Sequence, residues 1–160
     1  NCSYGITRTQ TALSTSANNN VKSLIGWDNK KYLNIWVVTN IERNQAAGTT
    51  ILGYSAFPYY NIPLTQDGIV IRHDNFGDIG SSAGTRNRTL THEVGHYLNL
   101  YHTFQSGCTG GDNCYDTPPV STSSSGCNTA LPQNTCQNDN PDLPDMLENY
   151  MDYTVHYCII

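Results

Sequence analysis

The sequence predicts an α+β fold, and three observations support this class. Three short β-rich segments lie within residues 31–73, and one helical segment follows at residues 86–98. The last segment, residues 103–160, carries five of the six cysteines and five of the seven prolines. We therefore expect a sheet and one helix, followed by an irregular lobe that disulfides staple together.

The three strand candidates differ in character. Residues 31–38 are mostly apolar and rich in β-formers, which is typical of a central strand. Residues 51–57 form a shorter candidate that Pro58 ends, and this favours a position at the edge of the sheet. Residues 68–73 predict the third strand.

The helix predicted over residues 86–98 follows a glycine-rich stretch. Leu90, Val94 and Leu98 recur at a spacing that places them on one stripe of a helix. After this helix we expect loops, with little regular structure before Met151.

The chain carries no internal repeat and no linker that would split it. We therefore predict a single domain over residues 1–160. Its N-terminal sheet-and-helix subdomain would cover residues 1–102, and its loop-rich subdomain residues 103–160.

The composition argues against several classes of protein. A hydrophobic content of 38% with eleven tyrosines in 160 residues argues against disorder and is enough for a core. Eight Lys+Arg against thirteen Asp+Glu give a net charge of −5, which argues against nucleic-acid binding. No apolar run approaches the ~20 residues of a membrane span. We expect no nucleic-acid partner and no membrane span.

Six cysteines, few lysines and two Asn-x-Ser/Thr sequons, at Asn1 and Asn87, indicate a secreted, extracellular protein. The chain begins at Asn1 with neither a Met nor an apolar signal segment, and we interpret it as a processed or trimmed form.

The chemistry is concentrated between His92 and His102. On a helix, His92 and His96 share a face and can bind one metal ion, while Glu93 lies beside that ion as a general base for a metal-bound water. A straight helix would carry His102 away from that face, so the chain must turn. Asn99 tolerates the left-handed conformation that such a turn needs. Three imidazoles leave the fourth position open, as in catalytic zinc sites.

A chance occurrence of this motif, or a metal site without hydrolytic activity, would be the competing interpretations. The isolated His73 and His156 are interpreted as ordinary polar surface residues.

The stretch from His92 to His102 matches the metzincin zinc signature, with Asn99 in place of a glycine. The chain further resembles the pappalysin (cytophagalysin-like) endopeptidases. The segments that carry this resemblance are residues 5–9, 32–36, 52–54, 92–96, 102–104, 116–118 and 149–153. It implies a metzincin-like catalytic domain with a twisted mixed sheet, an active-site helix and a Met-turn in the C-terminal lobe.

The resemblance also implies roles for single residues. The three histidines would bind zinc and Glu93 would polarise the water. Met151 would form the hydrophobic base beneath the ligands. Tyr153 would contact the zinc or stabilise the oxyanion.

For the substrate, the resemblance implies that the strand around Gly53, Tyr54 and Ser55 pairs with an extended peptide. After Tyr153 the family usually has acidic residues, whereas this chain has Thr-Val-His-Tyr at 154–157. That segment helps to shape the pocket for the residue after the scissile bond, so Tyr157 indicates a less charged pocket.

Six cysteines allow fifteen disulfide patterns, and the residues alone do not choose among them. The resemblance implies Cys114–Cys136 and Cys127–Cys158, which leaves Cys2–Cys108. It also implies structural calcium in the same lobe, with Asp116 and Thr117 as ligands and Asp112 as an additional one. Turn capping is an equally ordinary role for these aspartates.

The sequence therefore predicts a secreted, monomeric zinc endopeptidase that acts on protein or peptide substrates through a Glu-activated, zinc-bound water. The alternative is a zinc-containing but inactive fragment or protein-binding module. A disulfide-rich toxin or lectin with a fortuitous motif would bind no stoichiometric zinc.

Overall fold

The computed structural model describes residues 5–42, 49–59, 61–84, 87–125, 133–137 and 139–154. The chain divides into two compact units, residues 1–93 and residues 94–160. The boundary between these units falls inside the helix that covers Thr89–Tyr97. No helix within the described ranges has the length and apolar character needed to cross a membrane.

The first unit contains a three-stranded mixed sheet, formed by β1 (Ile35–Val38), β2 (Gly53–Ser55) and β3 (Ile69–Arg72). The strand order is β1-β3-β2, with β1 parallel and β2 antiparallel to β3. Within the described residues β3 is therefore the central strand, and the central position predicted for residues 31–38 is wrong. The edge position predicted for the second strand is confirmed.

Burial explains this strand order. Ile69, Val70 and Ile71 of β3 are all fully buried, as expected for a strand covered on both faces. In β1, by contrast, Ile35 and Val37 are exposed and only Val38 is buried. The apolar run of residues 31–38 matched a central strand in composition, but composition does not fix which neighbours a strand acquires.

The core of this unit lies between the sheet and the chain segment that precedes it. Val38, Tyr54 and Val70 pack with Val21 and Ile41. The described residues of this unit also form four short 3₁₀ helices, at Ala12–Thr15, Asn19–Ser23, His73–Asn75 and Gly80–Ser82.

Helix α1 covers Thr89–Tyr97, inside the predicted range of 86–98. It ends in a Schellman motif, because Asn99 N–H donates to the His96 carbonyl and Leu100 N–H donates to the Gly95 carbonyl, both at 2.9 Å. Asn99 takes the left-handed conformation, with φ of 75°, so the prediction of a turn at this residue is confirmed.

Beyond α1, the described residues of the second unit are largely irregular. The sheet of the first unit together with helix α1 confirms the predicted α+β class. Among the described residues of the second unit one further helix, α2 (Gly107–Gly110), occurs. In these described residues, aspartate side chains rather than paired strands bond to the backbone. The Asp145 carboxylate accepts from the N–H and hydroxyl of Thr135, and the Asp152 carboxylate accepts from Ser124 N–H at 2.9 Å.

Among the described residues of this unit, a disulfide joins Cys108 to Cys136. The predicted pairings Cys114–Cys136 and Cys2–Cys108 are therefore wrong. Cys108 on α2 reaches Cys136 with a Cα–Cα distance of 5.3 Å, within bridging range, and Cys114 keeps a free thiol. The third predicted pair, Cys127–Cys158, lies outside the described residues.

Candidate metal centre

Helix α1 and the turn after it bring three imidazoles together. His92 and His96 lie one helical turn apart, and the chain reverses through Asn99 before it reaches His102. One ring nitrogen from each histidine lies within 4.8 Å of the other two. Three nitrogens bound tetrahedrally to zinc lie about 3.3 Å apart, given Zn–N distances of about 2.0–2.1 Å. The donor set therefore fits zinc in its chemistry, and nitrogens within 4.8 Å of one another can reach one ion after small side-chain movements.

The helix terminus also orients His96. Its Nδ1 lies 2.8 Å from the Leu100 carbonyl, which can accept only from a protonated nitrogen, so Nε2 keeps a free lone pair for a metal. Burial lowers the pKa of His96, and the bond to Leu100 opposes this shift more weakly. Burial therefore favours the neutral ring, and the bond to the Leu100 carbonyl selects the tautomer that carries its proton on Nδ1.

His102 is held by two aromatic neighbours. Its ring stacks on Phe104, with centroids 4.8 Å apart and planes 6° apart, and meets Tyr153 edge-on at 5.0 Å. The Tyr153 hydroxyl lies 3.1 Å from His102 Nε2, and the Nε2 atoms of His96 and His102 are also 3.1 Å apart. Sequence reasoning identified Tyr153. Phe104 lies in the segment 102–104 that carries the family resemblance, but no role was predicted for it.

Glu93 follows His92 on α1 and is only 5% exposed. Its side chain lies against β2, because a Cβ built on Gly53 would be 3.1 Å from Glu93 Cγ and 3.2 Å from Oε1. The carboxylate therefore lies directly against the strand that was predicted to pair with substrate.

Met151 is buried in the second unit, within a turn that Asn149 organises. The Asn149 side chain accepts from Met151 N–H at 2.9 Å, and its carbonyl accepts from Asp152 N–H at 3.1 Å. A Cβ on Gly95 would overlap the Met151 Sδ atom, so Met151 packs closely against α1.

The backbone of β2 has one open edge within the described part of the sheet. The Leu52 carbonyl accepts from Arg72 N–H at 2.9 Å, and Ala56 N–H donates to the Gly68 carbonyl at 3.1 Å. Because backbone groups alternate along an antiparallel strand, Gly53 and Ser55 present theirs to the opposite edge. The Tyr54 side chain points into the core, where its hydroxyl bonds Asn19 Oδ1 at 3.1 Å.

Comparison with known proteins decides the family. Residues 15–159 match the sequence model of peptidase family M43, described as Pregnancy-associated plasma protein-A. The chain belongs to the pappalysin family of metallopeptidases.

Three similar proteins illustrate the relationship. An extracellular metalloprotease of Colletotrichum graminicola is 42% identical over 111 residues, which is 66% of this chain and 38% of the relative. One of Arthroderma otae is 32% identical over 144 residues, which is 87% of this chain and 49% of the relative. Mature mirolysin of Tannerella forsythia, solved in complex with a cleaved peptide, superposes with a TM-score of 0.78 at 38% identity. The alignment covers 99% of this pappalysin and 60% of mirolysin, so the chain spans well under two thirds of all three proteins.

The remaining predicted residues of this pappalysin lie apart from the histidines in sequence. Asp112 and Thr117 line a pocket of about 350 Å³, with Asp112 buried and accepting from Cys114 N–H at 2.9 Å, while Asp116 is exposed. Burial raises the pKa of the Cys114 thiol, and the negative charges of Asp112 and Asp116 raise it further. Tyr157 lies outside the described residues.

Proposed function

We propose that this pappalysin is a secreted zinc endopeptidase that hydrolyses peptide bonds with Glu93 as general base. The observation that carries the proposal is the triad of imidazole nitrogens within 4.8 Å, with a buried carboxylate on the residue next to the first histidine. The names of the fungal relatives, extracellular metalloproteases, support secretion and the reaction class.

His92, His96 and His102 would hold the zinc. When bound, zinc supplies a Lewis acid that lowers the pKa of water and polarises a carbonyl oxygen. The Nδ1 of His96 already bonds to the Leu100 carbonyl, so Nε2 is the nitrogen that would bind zinc.

Glu93 would move the proton. Its carboxylate accepts the proton from the attacking water and then passes it to the leaving amine nitrogen. Burial of the side chain excludes bulk water from this transfer. No covalent intermediate is required.

Tyr153 would assist at the carbonyl oxygen. Its hydroxyl lies 3.1 Å from His102 Nε2, and from there it can donate a hydrogen bond to the oxygen that becomes negatively charged. Met151 would be the methionine of the Met-turn, packed against α1 at Gly95.

The open edge of β2 would bind the substrate as an additional strand. Gly53 and Ser55 offer backbone donors and acceptors on that edge, the arrangement that an extended peptide uses in β-augmentation. Tyr157 would contribute to a less charged pocket for the residue after the scissile bond. The protein would act as a monomer on protein or peptide substrates.

Calcium would bind in the second unit. Asp112, Asp116 and Thr117 offer the hard oxygen ligands that Ca²⁺ prefers, and two of them line one pocket. Added Ca²⁺ should raise the melting temperature, and Asp112→Asn should remove most of that increase. An unchanged melting temperature with Ca²⁺ would contradict this assignment.

The experiment that tests the function is digestion of a peptide library with and without a zinc chelator. Glu93→Gln should bind zinc normally and lose about 10²–10⁴-fold in kcat, which is the usual contribution of general acid–base catalysis. Glu42→Gln, the same change at an exposed glutamate, is the matched control and should keep full activity. Zinc binding without chelator-sensitive cleavage by the wild-type chain would identify the alternative, an inactive or protein-binding module.

A further inference from the structure

We propose that Gly53 is a positioning residue for Glu93, and that a residue without a side chain is needed here to seat the general base beside the substrate strand. The inference rests on the proposed peptidase function and deepens it. It concerns the side chain that Gly53 lacks, whereas the pairing of β2 with substrate concerns its backbone.

The contact between β2 and α1 is too tight for a methyl group unless the neighbouring atoms move by a few tenths of an ångström. A Cβ on Gly53 would meet Glu93 Cγ at 3.1 Å, Glu93 Oε1 at 3.2 Å and Thr89 Cγ2 at 3.2 Å. All three distances are shorter than the 3.4–4 Å of ordinary van der Waals contact. An alanine at this position would therefore displace the carboxylate, the helix or the strand.

The backbone conformation of Gly53 does not explain the glycine. Gly53 is absent from the residues with positive φ, so any L-residue could adopt its conformation without strain. It also lies within a strand, where glycine weakens the structure and commonly marks a close approach of another group. The close approach here is that of Glu93 and Thr89, which lie one turn apart on α1.

The Glu93 side chain has little freedom to move away from such a methyl group. It is only 5% exposed, so a displaced carboxylate would have to take another buried position. His92, although adjacent in sequence, points about 100° further round the helix. A methyl group at residue 53 would therefore act on the Glu93 side chain, which supplies two of its three nearest atoms, before it acts on the histidine ligands.

Gly53 thus connects two parts of the proposed reaction. Its backbone N–H and C=O face the open edge of β2, where the substrate would pair, and its Cα lies against the general base. Because Gly53 has no side chain, only its backbone would separate the substrate strand from the Glu93 carboxylate. Proximity effects are steep, since a misplacement of about 1 Å can cost about 10²-fold in rate.

The test compares Gly53→Ala with Gly26→Ala in the zinc-loaded chain. Gly26 is a matched control because a Cβ there would meet the flexible end of the Leu64 side chain at 3.0–3.1 Å, and its φ is also not positive. We expect Gly53→Ala to lower kcat by about 3–10-fold, as a shift of a few tenths of an ångström implies, with KM changed by less than about twofold. Zinc content should equal that of Gly26→Ala, whose kinetics should be those of the wild type.

The outcomes separate this inference from the proposed function. If the wild-type chain shows no chelator-sensitive cleavage, the proposed function fails first. If the wild type cleaves and Gly53→Ala keeps its kcat, or only raises KM, the positioning role is overturned.

A measurement of stability covers the case in which Gly53→Ala does not fold. Glu93→Ala removes Cγ and Oε1, two of the three atoms that the methyl group would meet. Gly53→Ala should therefore lower the melting temperature less in the Glu93→Ala background than in the wild type. An equal decrease in both backgrounds would show that Glu93 is not the group that the glycine accommodates.

Discussion

The two units of the chain maintain their structure by different means. In the first, residues 1–93, three strands share backbone hydrogen bonds around a fully buried β3. In the second, residues 94–160, the described residues form no paired strands. Instead, the side chains of Asp145, Asp152 and Asn149 each accept hydrogen bonds from backbone N–H groups. The first unit distributes its stability over many equivalent contacts, whereas the second depends on a few specific groups.

This difference affects the metal centre because its histidines come from differently supported segments. His92 and His96 lie on α1, whose internal hydrogen bonds fix their spacing. His102 lies in the irregular unit and depends on the Asn99 turn and on contacts with Phe104 and Tyr153. Changes to single residues in the second unit should therefore affect stability and zinc affinity together.

The largest effect should come from removing the Cys108–Cys136 disulfide. A sequence separation of 28 residues corresponds to about 3–4 kcal/mol of loop-closure entropy, so Cys108→Ala/Cys136→Ala should lose about that free energy of unfolding. Cys114→Ala, which removes the free thiol, is the control and should cost less than about 1 kcal/mol. Hydrogen exchange should show the loss of protection in residues 105–125 and 133–137, and unchanged protection in β3. Equal loss in both units would contradict the comparison.

The next effect concerns the contact between α1 and the Met151 turn. Gly95→Ala places a methyl group on the Met151 Sδ atom and should cost about 1–3 kcal/mol by overpacking, although alanine favours helix. Thr91→Ala, on the exposed side of the same helix, is the control and should be neutral or stabilising. Urea unfolding measures both. A neutral Gly95→Ala would mean that Met151 is not packed against the helix.

Asn99 provides a smaller test of how His102 reaches the other histidines. Asn99→Ala should cost about 1–2 kcal/mol, because alanine is strained in the left-handed conformation, and should weaken zinc binding. Asn99→Gly should keep both stability and zinc affinity, since glycine adopts this φ freely. Chelator competition and urea unfolding give the two readouts. Equal behaviour of the alanine and glycine variants would contradict a role for the left-handed turn.

The smallest predicted effect is a pH-dependent change in the free energy of unfolding, and it concerns the first unit. The Arg72 guanidinium donates to the Asp74 carboxylate, at 3.0 Å from Nε, and lowers the pKa of Asp74 below its usual 3.8. A depressed pKa in the folded state contributes stability above about pH 4, and this contribution disappears as pH falls through the folded pKa.

Asp74→Asn should therefore cost about 0.5 kcal/mol at pH 7, a value reduced by partial solvent exposure, and almost nothing at pH 2. Asp28→Asn, which breaks the exposed pair with Lys31, should change nothing measurable at either pH. A cost for Asp74→Asn that is the same at both pH values would show that the pair does not act through ionisation.

The parts that could be predicted from sequence are those that short-range geometry fixes. The spacing of His92, Glu93 and His96 defines their relative positions once a helix forms, and the αL tolerance of Asn99 predicts the turn that follows. The β-rich segments likewise predicted three strands, because alternation and β-branching are local properties.

The predictions that failed concern contacts between residues that are distant in sequence. Local composition could not decide that β3 rather than β1 is central, because burial on both faces comes from packing of the whole unit. The Cys108–Cys136 pair likewise depends on where α2 lies relative to Cys136, which no spacing in the sequence specifies. The stacking of Phe104 on His102 was missed although the two residues are close in sequence, because no helix or strand periodicity fixes side-chain directions in an irregular segment.

The central claim, that three histidines form a zinc site in this pappalysin, is tested most directly by zinc X-ray absorption spectroscopy of the loaded wild-type chain. We predict one zinc per chain with three imidazole nitrogens at about 2.0–2.1 Å and one oxygen ligand, and loss of one imidazole shell in His102→Ala. A sulfur shell at about 2.3 Å, as ligation by the free Cys114 thiol would give, or a spectrum that His102→Ala leaves unchanged, would contradict the account.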